Sequence, residues 1–109
     1  MAINGGCLCG RLRYRVTSAL VGADNCHCSM CRRQHGAAYA SYAGFSPSDF
    51  EWTTGRELLG VYESASGAGW CFCSVCGSTL AGTEAGVVNS ITLGSVDGDP
   101  GVKPAAHIF

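Results

Sequence analysis

Apolar and polar positions alternate most clearly from Arg11 to Val16, where Leu12, Tyr14 and Val16 interleave with Arg11, Arg13 and Arg15. A period of two predicts a half-buried strand with the three apolar residues on its inner face. The Tyr- and Ala-rich segment 37–45 reads as a second strand. Residues 46–50 (Ser-Pro-Ser-Asp-Phe) read as a turn or a single helical turn, with Pro47 at its first position. Short strands are expected at 51–54, 58–63, 70–73 and 87–93. The first two are parted by Thr54-Gly55-Arg56, and 64–69 (Ser-Ala-Ser-Gly-Ala-Gly) is a loop by composition. Residues 94–103 are turn-rich, and no long helical periodicity is present. Short strands at intervals of about ten residues predict an all-β fold of small antiparallel sheets, as a sandwich or barrel. Strands this short bury little each, so such a fold leans on a bound metal.

Composition fits this outline. The 109 residues suit one domain, 1–109, and 47% are hydrophobic, enough for a modest core. Only 14% are charged and 16 are Gly, which favours a turn-rich β protein over a helical bundle. Seven basic against eight acidic residues give a formal charge of −1, so the basic excess of a nucleic-acid binder is missing. No apolar run approaches the ~20 residues that span a bilayer, so no membrane association is expected. The first residues carry neither a charged nor an apolar leader segment, and the expected location is cytoplasmic. In a reducing compartment, cysteines read as metal ligands or catalytic groups more readily than as disulfides.

There are eight cysteines, in three groups: Cys7-Leu8-Cys9, Cys26-His27-Cys28-Ser29-Met30-Cys31 and Cys71-Phe72-Cys73-Ser74-Val75-Cys76. In an extended chain, residues i and i+2 share a face, so a C-x-C can offer two sulfurs to one ion. A C-x-x-C at a tight turn does the same. Cys7, Cys9, Cys73 and Cys76 would close a four-thiolate site, leaving Cys26, Cys28 and Cys31 as a trio suited to an open one. A disulfide framework and an iron–sulfur cluster meet the same ligand count, but zinc is the metal favoured. Buried cysteines acting as small hydrophobes would not fall into three such groups.

Four residues past Cys31, His35 is a candidate proton donor to a ligand at the second metal; an exposed loop histidine is the alternative. Arg32 and Arg33 could grip a carboxylate, or belong to a solvated turn. His27 is expected to point away from the metal toward core or backbone, His107 to be structural or solvated, and Asp97 to form a turn. Trp52, Trp70, Tyr39 and Tyr42 are expected in the core or a cleft wall. Cys71 would face the same way as Cys73. No nucleophile–histidine–acid set, phosphate loop or dinucleotide fingerprint is present, so any catalysis depends on the metal.

The blocks Gly5-Gly6-Cys7-Leu8-Cys9-Gly10, Cys26-His27-Cys28-Ser29-Met30-Cys31-Arg32-Arg33-Gln34 and Phe72-Cys73-Ser74-Val75-Cys76-Gly77-Ser78 resemble the glutathione-dependent formaldehyde-activating enzymes, relatives of centromere protein V. Leu93-Gly94-Ser95-Val96-Asp97 and the terminal His107-Ile108-Phe109 continue the match. The resemblance implies an all-β tent stabilised by zinc, with Cys7, Cys9, Cys73 and Cys76 as structural ligands. Cys26, Cys28 and Cys31 would then hold a second, catalytic zinc. It implies a carbon–sulfur lyase of the S-(hydroxymethyl)glutathione synthase type, with glutathione as co-substrate and a small-molecule thiol or aldehyde adduct as partner. That condensation also proceeds without a catalyst, so the rival expectation is a non-enzymatic zinc module binding a protein or small thiol. Trp70 stands where relatives often carry a basic residue, and Cys71 is additional to the usual seven. A homodimer through exposed β edges is a further expectation.

Overall fold

In a computed structural model, which describes residues 2–109, the alternation at 11–16 becomes a strand whose apolar face is sealed. Leu12, Tyr14 and Val16 are at most 1% exposed, while Arg11 and Arg15 lie at the surface. In chain order, the elements begin with β1 (Ile3–Gly6), β2 (Arg13–Val16), β3 (Val21–Cys26), α1 (Ser29–His35) and β4 (Ala40–Gly44). They continue with β5 (Phe50–Thr54), β6 (Leu59–Glu63), β7 (Ala68–Cys73), β8 (Thr79–Glu84), β9 (Val87–Thr92) and β10 (Ala106–Ile108). Single 3-10 turns lie at Pro47–Asp49, Arg56–Leu58 and Leu93–Ser95, the first opened by Pro47 as its fixed φ favours.

The fold is mostly β. A three-stranded sheet has the order β1-β2-β5, and a seven-stranded sheet the order β10-β3-β4-β9-β8-β7-β6. The main core lies where Leu12, Tyr14 and Val16 meet Leu80, Ala81 and Ile91, and Cys7, Cys71 and Cys73 belong to it. Tyr14 is anchored by a 2.7 Å hydrogen bond to Ser95 Oγ and stacks on Phe50, ring centroids 5.6 Å apart. Gly5 is required beneath that ring, because a Cβ there would sit 2.3 Å from the Tyr14 hydroxyl.

The expectation of purely antiparallel sheets needs one correction: β10 runs parallel to β3, with Ile108 opposite Cys26. A parallel neighbour needs a long connection, and the whole chain between Cys26 and Ala106 supplies it. The strand expected at 37–45 starts only at Ala40, because α1 and its left-handed C-cap Gly36 (φ 61°) occupy the approach. The loop expected at 64–69 gives way to β7 from Ala68. No helix among the described residues is long and apolar enough to cross a membrane.

Candidate functional site

The first cysteine cluster is assembled by two backbone turns. Cys7 and Cys9 lie in the turn between β1 and β2; Cys73 ends β7 and Cys76 lies in the turn after it. Gly10 (φ 79°) and Gly77 (φ 80°) reverse the chain in the left-handed region that favours glycine. Their amides donate to the Cys7 carbonyl at 3.1 Å and the Cys73 carbonyl at 2.8 Å. All four Sγ atoms lie within 4.8 Å of one another. Cys7–Cys9 is 3.5 Å and Cys9–Cys73 is 3.8 Å. Metal–sulfur bonds of ~2.3 Å in a tetrahedron put sulfurs about 3.8 Å apart, so these four fit zinc.

The cluster is also prepared electrostatically. The Leu12 amide donates to Cys7 Sγ at 3.3 Å. Ser78 Oγ accepts from the Leu8 amide at 2.9 Å, which leaves its own proton for Cys76 Sγ, 3.3 Å away. That hydroxyl, with the amides of Ser78 and Cys9, brings the Cys76 thiol down to about 5, so it is a thiolate at neutral pH. Sequence reasoning gave Ser78 no such role; its position two residues past the last cysteine was the available signal.

The second cluster spans the β3–α1 junction. Cys26 closes β3, Cys28 is the N-cap of α1, and Cys31 lies in its first turn. Their Sγ atoms are mutually within 4.8 Å, and among the described residues no fourth Cys, His, Asp or Glu donor joins them. Three sulfurs at this spacing fit a metal that keeps one position for a ligand. Cys28 Sγ accepts the Cys31 amide at 3.3 Å, so one side chain both caps the helix and presents a ligand atom. Burial alone would raise the Cys28 thiol. The Cys31 amide, the Cys31 and Cys26 thiols and the Met30 amide outweigh it and leave Cys28 below its ordinary value. Burial and the other two thiols push Cys31 well up.

His35, one helical turn beyond Cys31, does not join the trio. Its Nε2 is hydrogen-bonded to the Tyr42 hydroxyl. The Trp70 indole N–H donates to that same hydroxyl oxygen at 3.0 Å, so one hydroxyl links the imidazole to the indole. Burial lowers the pKa of His35 and favours its neutral ring. Tyr42 packs on the second cluster with Ala40. The Arg32 Nε donates to the His27 carbonyl at 3.0 Å, while Arg33 lies on a different side of the helix. The His27 side chain meets His107 rather than the core, Nε2 to Nδ1 at 2.7 Å, and its amide donates to the Ile108 carbonyl at 2.8 Å. Asp97 pairs with Arg13. Cys71 is 2% exposed, its thiol is pushed up to about 11 by burial, and it stays outside both clusters.

A cleft of about 720 Å³ reaches from Cys7 and Ser78 at the first cluster past Arg13 and His35 to Tyr39 and Ala40. Ala40 packs against Cys26 and Cys31, so the cleft ends beside the second cluster.

A closed four-sulfur site and an open three-sulfur site on small sheets define a β protein with two candidate zinc centres. The chain belongs to the family of the glutathione-dependent formaldehyde-activating enzymes, whose family model matches residues 2–109. It is also similar to a Rhodobacter sphaeroides protein of known crystal structure, at 27% identity and a TM-score of 0.70, covering 95% of this chain and 98% of that one. No curated protein matches it.

Proposed function

We propose that the chain is a zinc-dependent carbon–sulfur lyase-type enzyme acting on the adduct of a thiol with a small aldehyde, glutathione and formaldehyde being the pair its family name gives. The observation that carries this reading is the Cys26–Cys28–Cys31 trio, which lacks a fourth protein donor among the described residues. Zinc held there would polarise a carbonyl or keep a thiol as its nucleophilic thiolate. The remaining chemistry belongs to side chains already in place. The cleft wall adds the hydroxyl oxygens of Ser41, Ser78 and Thr79, whose protons are committed to Asn25, Cys76 and Gln34, as acceptors for a polar, peptide-like thiol. His35, whose Nε2 is engaged by Tyr42, lines the cleft and is the candidate to exchange a proton with an oxygen bound there. Arg13, the cation of the cleft wall, is paired with Asp97, and neither Arg32 nor Arg33 lines this cleft.

The rival reading, a non-enzymatic zinc module, is favoured by the burial of Cys26 and Cys31, each 8% exposed. The rate of S-(hydroxymethyl)glutathione formation, followed by exchange NMR against the uncatalysed background, separates the two. A zinc-loaded protein that accelerates exchange, with the gain lost in Cys28→Ser, is the result expected. Equal rates with and without protein, in a sample carrying both zincs, would leave the module reading.

A further inference from the structure

A second pocket, of about 450 Å³, lies on the other side of α1 and is lined by Met30, Arg33, Gln34, Tyr62, Ser64 and Trp70. Its volume is in the range of small-molecule sites. Met30, Arg33 and Gln34, spaced three and four apart, form one stripe of the helix; Cys31 and His35 form the neighbouring stripe. The pocket therefore adjoins the second cluster without containing its ligands. Trp70 joins the two, facing the pocket while its N–H holds the Tyr42 hydroxyl against the cluster.

The lining has a definite chemical bias. Trp70 is buried, 6% exposed, and Tyr62, 61% exposed, stacks on it with centroids 6.5 Å apart and planes at 19°, so Tyr62 presents the open aromatic face. Gln34 is fixed, its Oε1 accepting from Thr79 Oγ1 at 3.1 Å. Met30 supplies a polarisable, adaptable wall at 40% exposure. Arg33 is the one cation of the lining, and it has no carboxylate partner among the described residues. Flat aromatic faces select a ring, and an uncommitted guanidinium selects an anion.

We infer that this pocket is a binding site for a small aromatic carboxylate. The ring lies against Tyr62 and the accessible edge of Trp70, and the carboxylate meets Arg33. Formaldehyde, with a single carbon, has nothing to place there.

Phenylacetate, titrated into the zinc-loaded full chain in a Trp52→Phe background, tests the site, since Trp70 is then the only fluorophore of its kind. A saturable change in emission is expected at millimolar concentration, as suits so small a ligand. Acetate should leave the emission unchanged. Arg33→Gln should weaken phenylacetate about fivefold to tenfold, to the affinity of the neutral phenylacetamide. Tyr62→Ala should weaken both aromatic probes, whereas Arg32→Gln, on another side of the helix, should change neither. Failure to saturate by about 50 mM would overturn the inference. So would equal responses to phenylacetate and acetate, or an Arg32→Gln loss as large as that of Arg33→Gln. Binding is read without turnover, so the two proposals fail separately. Turnover of the formaldehyde adduct without phenylacetate binding removes the subsite alone. Binding without turnover of any aldehyde removes the catalytic reading alone.

Discussion

The two cysteine clusters should respond very differently to loss of one sulfur. Cys73 is fully buried in the main core beside Leu80 and Ile91, and its cluster ties the β1–β2 turn to the end of β7. Apparent zinc-binding free energies of about 10–16 kcal/mol for small structural sites, shared over four thiolates, give about 2.5–4 kcal/mol for each. A chain of this length is stable by about 5–15 kcal/mol in total. Cys73→Ser thus removes about a sixth of the stability at the least and leaves a hydroxyl in an apolar setting. At about 4 °C per kcal/mol, Tm should fall by about 10–16 °C or folding should fail. Cys28, by contrast, is half-buried and packs on a satellite cluster of only Cys26, Cys31 and Ala40. Cys28→Ser keeps an oxygen able to cap α1 and should cost about 1 kcal/mol. The assay is zinc content of protein purified without added metal, with circular dichroism and thermal melting. The expected result is two zincs in the parent chain and one in a folded Cys28→Ser. Two zincs retained in Cys28→Ser, or an unchanged Tm in Cys73→Ser, would refute the reasoning.

Two further outcomes follow from the fold. Gly5→Ala should destabilise by about 1–3 kcal/mol, because the new methyl meets the Tyr14 hydroxyl and the Ser95 carbonyl, which Tyr14's buried ring cannot vacate; urea unfolding measures it. His35 has its folded pKa lowered by burial, so its contribution is fully present above its unfolded pKa near 6.5 and is lost as pH falls through that value toward the folded one. The parent chain should therefore lose more stability between pH 7.5 and 5.5 than His35→Gln does, and equal pH slopes would count against a buried, neutral His35.

Legibility followed side-chain contrast. The β2 strand was readable because charged Arg11, Arg13 and Arg15 alternate with residues that are wholly buried. Strands β1 (Ile-Asn-Gly-Gly), β3 (Val-Gly-Ala-Asp-Asn-Cys) and β8 (Thr-Leu-Ala-Gly-Thr-Glu) went unread, since small and polar residues give no period of two. These segments pair through their backbones, and pairing depends on neighbours remote in sequence. The seven-residue α1 was equally hidden: its apolar demand is met by Cys31 alone. The cysteine pairs and the trio were legible because ligand spacing is local chemistry; that Cys7 and Cys9 share a cluster with Cys76 and with Cys73, 64 residues beyond Cys9, is also what the family resemblance implies. The His35–Tyr42–Trp70 chain was not, because it joins α1, β4 and β7 through a hydroxyl whose direction only the assembled fold fixes.

The separation of the clusters has a structural logic. The first sits where two glycine-reversed turns meet the main core, with a serine and several amides aimed at its sulfurs, so its geometry is set by backbone tied to that core. The second hangs on a helix cap and an edge of the sheet, where the neighbouring strand β10 is three exposed residues long. Backbone hydrogen bonds in such a setting open at low cost. The four-sulfur cluster is thereby suited to hold a metal permanently. The three-sulfur cluster has fewer such restraints, and Ala40 from the cleft and Trp70 from the aromatic pocket link both to its surroundings. The low share of charged residues fits this division: most polar side chains near the clusters are already engaged in fixing the sulfurs or the rings around them, which leaves the three-sulfur cluster as the candidate reactive feature.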